Sequence, residues 1–104
     1  MSEYKIKFSP KSKQDIKEIV KYIKDKLKEP SIAKKYEKFF KDKISRLTNF
    51  PSKFVEIDEE NVTYKGIRKL IVKNYIVFYR IIDEKNVISI ERILYGASDW
   101  KNKL

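Results

Sequence analysis

Residues 67–100 read IRKLIVKNYIVFYRIIDEKNVISIERILYGASDW, three strand-like runs separated by two short turns. Ile67 to Val72 is apolar apart from Arg68 and Lys69, and Lys73-Asn74 follows as a tight turn. Tyr75 to Ile82 is dense in β-branched and aromatic side chains, which suit a pleated, half-buried surface. Asp83-Glu84-Lys85-Asn86 is a polar connection, Val87 to Tyr95 resumes the strand pattern, and Gly96 ends it. Connections this short make the strands antiparallel, because a parallel crossover needs about a dozen residues or more. The stretch is a three-stranded antiparallel meander that the rest of the chain must cover.

Working outward, Tyr4, Ile6 and Phe8 alternate with Lys5 and Lys7, the period-two pattern of a strand with one buried face. Ser9-Pro10 is a helix start, since Ser9 can cap free amides and Pro10 suits the first helical position. Ile16, Ile19, Val20, Ile23 and Leu27 then recur on one helical face, with the intervening Lys, Asp and Glu expected outside. This helix must stop before Pro30. Ser31 is the expected cap of a second helix carrying Ile32, Tyr36, Phe40, Ile44 and Leu47 on one stripe, with Phe39 beside it, ending near Asn49-Phe50-Pro51. So short a break predicts an antiparallel helix hairpin. Residues 52–65 are the least regular, with Phe54, Val55 and Ile57 as a short edge strand or loop anchors and Asp58 to Asn61 as an acidic turn. The expected fold is α+β: an N-terminal strand, a helix pair on one face of the sheet, then the meander.

At 104 residues, with 41% hydrophobic side chains, the chain is expected to form one domain over residues 1–104. Lys and Arg number 25 against 15 Asp and Glu, a net charge of +10, which favours an anionic partner. There is no Cys and no His, which excludes disulfides, thiolate zinc sites, and Ser-His or Cys-His nucleophilic pairs. No carboxylate spacing suggests a metal cage, and no glycine loop suggests a nucleotide, so neither metal nor cofactor is expected. No apolar run has the length of a signal peptide core or a bilayer span, so a cytoplasmic protein without membrane contact is expected.

The order of elements, together with Arg68-Lys69-Leu70, Asn74-Tyr75-Ile76-Val77-Phe78-Tyr79-Arg80, Arg92-Ile93-Leu94-Tyr95-Gly96 and Asp99-Trp100, resembles the RelE/ParE superfamily. These are toxins of bacterial type II toxin–antitoxin modules, and the resemblance covers nearly the whole chain. It implies a small basic α+β toxin neutralised by a cognate acidic antitoxin, with operator DNA bound only through the antitoxin complex. RelE-like members cleave messenger RNA in the ribosome with basic residues on the concave sheet face, whereas ParE-like members poison DNA gyrase. Cleavage needs cations for the charged phosphorane-like state and a group that activates the ribose 2′-hydroxyl.

Carried over by position, the nuclease set is sparse. Lys69 matches one family lysine, but its companion falls at Ile67, the arginine after the turn tyrosine at Ile76, and the arginine past the last strand near Ala97. A later tail tyrosine falls beyond Trp100, where only Lys101, Asn102, Lys103 and Leu104 remain. The Leu-Tyr-Gly…Asp-Trp ending is closer to ParE, although arginines are common in that branch at the positions of Ala97 and Ser98. The resemblance thus implies a gyrase-directed toxin with Arg68, Lys69, Arg80, Arg92, Tyr95 and Trp100 as contact residues for target or antitoxin. The alternatives are a ribosome-dependent endoribonuclease with a site rebuilt from Lys69, Arg68, Arg80, Arg92 and Tyr95, or an inactive homologue that only binds antitoxin. Read from the residues alone, the arginines are equally expected as solvent-facing strand positions paired with Glu91, Asp83 or Glu84, Tyr95 as a packed strand end, and Trp100 as a core closure.

Overall fold

A computed structural model describes residues 4–49 and 66–104. The chain runs β1 (Lys5–Phe8), α1 (Pro10–Leu27), α2 (Pro30–Ser45), β2 (Ile67–Val72), β3 (Tyr75–Ile82) and β4 (Val87–Tyr95), with single 3₁₀ turns at Arg46–Thr48, Asp83–Lys85 and Trp100–Asn102. It is an α+β fold whose helix pair packs on one face of a four-stranded sheet. The expected edge strand or anchors at Phe54, Val55 and Ile57, and the acidic turn after them, lie outside the described residues. Among the described residues, no helix is long and apolar enough to cross a membrane.

The three meander strands occupy the expected ranges and pair antiparallel. Lys73 takes φ +57° in the two-residue turn between β2 and β3, and Asn86 takes φ +52° before β4. Such left-handed backbone is unusual for a residue with a side chain, and Asn tolerates it better than most. β1 pairs in parallel with β4, Lys5 opposite Val87 through Phe8 opposite Ile90, giving the order β1-β4-β3-β2. The helix hairpin is part of the crossover that this parallel pairing requires.

Ser9 caps α1 as its sequence predicts: its Oγ accepts from the Ser12 amide at 3.0 Å and donates to the Glu91 carbonyl at 2.8 Å. The cap therefore also ties the helix start to β4. Lys28 ends α1 in the left-handed region at φ 52°. Three expectations on the helices need correction. The second helix starts at Pro30 with Glu29 in the cap position and no side-chain cap bond, because Pro at the first helical position moves the start ahead of Ser31. Leu27, expected on the buried stripe, is 53% exposed at the end of α1. Asp15, expected on the outer face, is buried, for a reason given below.

The main core lies between helices and sheet. Phe40, Ile44, Leu47, Val77, Tyr79, Ile88 and Ile90 are essentially inaccessible, and each such side chain contributes about 1.5–3 kcal/mol relative to exposure. A smaller cluster covers the second sheet face, where Ile67, Ile76, Phe78 and Leu94 are capped by Trp100 and Leu104 of the tail. Trp100 lies over Phe78 with ring centroids 5.1 Å apart.

A bulge in β4 links the two faces. The β3–β4 register steps from Tyr79 opposite Ile90 to Phe78 opposite Arg92, leaving Glu91 as the extra residue. Simple alternation would keep residue 92 in line with Ile88 and Ile90 on the helix side. The bulge instead gives that side to Ile93 and sets Arg92 beside Phe78.

Candidate functional site

The edge of β4 organises the site. β1 ends its pairing at Ile90, so among the described residues the following part of β4 has no strand partner on that side. The Asp15 carboxylate of α1 fills part of the gap by accepting the Ile93 amide at 2.9 Å. It also accepts from Arg92 Nε at 2.8 Å and Nη2 at 2.9 Å, a bidentate pair, while Arg92 Nη1 donates to the Lys103 carbonyl at 2.8 Å. One arginine thereby joins α1, β4 and the tail. The hydrogen bond from Asp15 holds the Arg92 guanidinium above its ordinary value, more than offsetting the opposing effect of burial, so it stays charged at any accessible pH.

Beside this clamp, α1 and β4 form the walls of an open groove of about 710 Å³ whose lining includes Tyr22, Leu27, Tyr36, Tyr75 and Tyr95, with Lys26 and Lys103 among its cations. Tyr75 forms an aromatic hub, with ring centroids 5.7 Å from Phe40, 5.7 Å from Tyr95 and 6.3 Å from Tyr36. Tyr22 is 57% and Tyr95 50% exposed, a large aromatic surface for a side chain to keep in water. Burial, and then the neighbouring phenols of Tyr36, Tyr22 and Tyr95, raise the Tyr75 pKa above 10.0. Tyr4 is raised as well, chiefly by its 2.7 Å hydrogen bond to Asp83.

An unfolded phenol ionises near 10.0 and these two later, so the native state holds extra protons above pH 10. Their stabilisation is complete below pH 10 and is lost as pH rises through the folded values. Tyrosinate absorbance is expected to show a late-ionising class that shrinks in Tyr75→Phe. A titration of Tyr75→Phe identical to the parent's would contradict the assignment.

The predicted contact residues divide between the two faces of the sheet. In the strand ladder Lys69 stands opposite Phe78, Arg80 opposite Ile67 and Arg92 opposite Phe78, all with the second-face cluster that Trp100 covers. Arg80 lies 4.0 Å from Glu91, one of the partners that the sequence suggests. Arg68 stands opposite Tyr79 and Tyr95 opposite Tyr75, both members of the helix-side core. Arg92 lines both the tyrosine groove and a second hollow of about 470 Å³ near Ser9, Arg80 and Lys103, as its place at the sheet edge requires.

Two features escape the sequence analysis. Asp15 carried a signal: at 12, 15, 19 and 23 it falls on the spacing of the residues that α1 buries. Tyr22 carried none, because it lies off the apolar stripe and gains meaning only from the strand across the groove.

A family model described as the ParE toxin of type II toxin–antitoxin system, parDE, matches residues 6–100. No curated protein sequence matches the chain. Among solved structures, the chain is similar to one of the chromosomal ParDE system from P. aeruginosa, at TM-score 0.72 and 18% identity, covering 88% of this chain and 95% of that one. It is similar to a chain of the RelBE2 toxin–antitoxin complex from Mycobacterium tuberculosis, at TM-score 0.62 and 19% identity over 90% and 99% of the two chains. A RelE toxin variant from E. coli in the free state gives TM-score 0.61 at 13% identity over 98% and 93%.

Proposed function

Since the chain belongs to the ParE toxin family of type II toxin–antitoxin systems, we propose that it arrests growth by binding DNA gyrase rather than by cutting RNA. One observation carries this choice between targets. A nuclease must bring a general base and phosphate-binding cations to the same reacting atom, within hydrogen-bond reach. Here Tyr95, the candidate group for activating a hydroxyl, stands with the helix-side core, whereas Lys69 and Arg80 stand with the opposite face, and Arg68, which shares the face of Tyr95, pairs with Tyr79, four residues along β3 from the Tyr75 that faces Tyr95. Arg92 is bound to Asp15 and the tail. The cations that share a face thus stand apart from Tyr95, an arrangement that suits surface contact with a target better than bond cleavage.

The same reading includes a cognate antitoxin, encoded beside this gene, seated in the tyrosine groove. Exposed Tyr22, Leu27 and Tyr95 offer apolar anchorage, and Lys26 and Lys103 offer charge for an acidic segment. Both structural neighbours from P. aeruginosa and M. tuberculosis belong to toxin–antitoxin systems.

The experiment is induced expression of this chain alone in bacteria, with pulse labelling of DNA and protein synthesis. Early arrest of DNA synthesis, with filamentous cells and gyrase recovered on the tagged toxin, is the expected outcome. A fall in protein synthesis that precedes it, abolished by Arg80→Ala, would replace this reading with message cleavage. Growth without arrest would leave only antitoxin binding.

A further inference from the structure

The net charge is concentrated on the helix hairpin: residues 10–46 carry thirteen Lys and Arg and six Asp and Glu, a net of +7 out of +10. Within α1 the distribution is ordered. Lys13, Lys17, Lys21 and Lys24 are all exposed and fall within an arc of about 80° at 100° per residue. No acidic residue shares that arc. Of the carboxylates of α1, Asp15 is buried in the clamp with Arg92, Glu18 falls outside the lysine arc by about 60°, and Asp25 borders it at about 40°. The row continues into Lys28, the exposed C-cap residue. The shallow surface beside it is lined by Ile16, Lys17, Val20, Lys21, Lys24, Asp25 and Glu37, three lysines against two carboxylates, with no aromatic side chain among the described residues.

We propose that this lysine row binds the phosphate backbone of double-stranded DNA, directly and without sequence preference. From Lys13 to Lys24 the row spans about 16 Å of helix axis, a length over which one strand of B-DNA presents about five phosphates. Lysine suits this task as a mobile point charge, whereas the bidentate recognition of a carboxylate favours arginine. The missing aromatics argue against single strands, which are held by stacking bases on rings. An acidic peptide with apolar anchors has a better seat in the tyrosine groove, where exposed rings are available. The row rests on the hairpin's own charge pattern, so its fate is separable from that of the gyrase assignment: DNA binding in vitro can hold whatever pulse labelling finds.

The test uses the full chain and a fluorescent 20-base-pair DNA duplex, with anisotropy followed across a salt series. A log–log salt slope near −3.6 is expected for about four phosphate contacts. The variant K13Q/K17Q/K21Q/K24Q is expected to lose most of that slope. The charge-matched variant K5Q/K7Q/K43Q/K85Q, with its changes at other exposed positions, is expected to keep it. Circular dichroism checks that both remain folded. Equal loss in the two variants would overturn the proposal by reducing the effect to net charge. So would tighter binding of an RNA duplex of the same length, equal competition by polyglutamate, or no DNA binding at 50 mM salt.

Discussion

Asp15→Ala is expected to destabilise the fold by about 3–5 kcal/mol, the range for breaking a buried ion pair from one side. The loss has three parts. Arg92 forfeits both hydrogen bonds from its fork, at 2.8 and 2.9 Å, and keeps the one to the Lys103 carbonyl. The Ile93 amide, bonded to Asp15 at 2.9 Å, becomes a buried donor without a partner. The edge of β4 also opens where β1 no longer covers it. At about 4–8 °C per kcal/mol for a domain of this size, the melting temperature should fall by at least about 12 °C. Arg92→Ala should cost less, because Asp15 keeps the Ile93 amide, and Arg92→Lys should recover only part of the loss because an ammonium has no planar fork. Urea denaturation of the three variants measures this. A cost under 1 kcal/mol for Asp15→Ala would mean that the clamp is ornamental. Arg92, singled out in the sequence as a contact residue, is accordingly expected to register as lost stability before it registers as lost binding.

The second large effect concerns the groove. Tyr22→Ala and Tyr95→Ala are each expected to weaken binding of the cognate antitoxin by about 30-fold, the scale of a truncated aromatic hot spot at about 2 kcal/mol. Both side chains are half exposed or more, so removing either ring should leave the fold intact. Both phenols act on Tyr75, so the two losses are not expected to add exactly. Calorimetric titration of toxin variants with antitoxin provides the measurement. Lys43→Gln, on an exposed position of α2 outside the groove lining, serves as the control and should change affinity by less than threefold. If both tyrosine variants bind as tightly as the parent, the antitoxin sits elsewhere.

The sequence carried the start of α1 and the limits of the meander strands. Ser9-Pro10 announced the start of α1 through a cap and a fixed φ, and the meander strands end where Lys73-Asn74, Asp83 to Asn86 and Gly96 interrupt the apolar pattern. Each depends on neighbours a few residues away. The wording of the same meander was also enough to mark the toxin family, which the match over residues 6–100 bears out. The contact residues were legible only as a set of types: that Lys69, Arg80 and Arg92 stand with one face, and Arg68 and Tyr95 with the other, follows from strand pairing.

What the sequence determined alone was therefore periodicity, the strand limits, charge and family, because backbone propensity and side-chain alternation act over short range. The tertiary structure decided the parallel seat of β1 against β4, the bulge at Glu91 that turns Arg92 to the other face, the burial of Asp15, and the covering of Phe78 by Trp100. The clamp joins residues 77 and 78 positions apart, and Ser9 reaches Glu91 across 82. No local pattern encodes such a pairing. It exists because a strand edge left open by the end of β1 carries an amide that must find an acceptor, and the helix crossing it supplies Asp15.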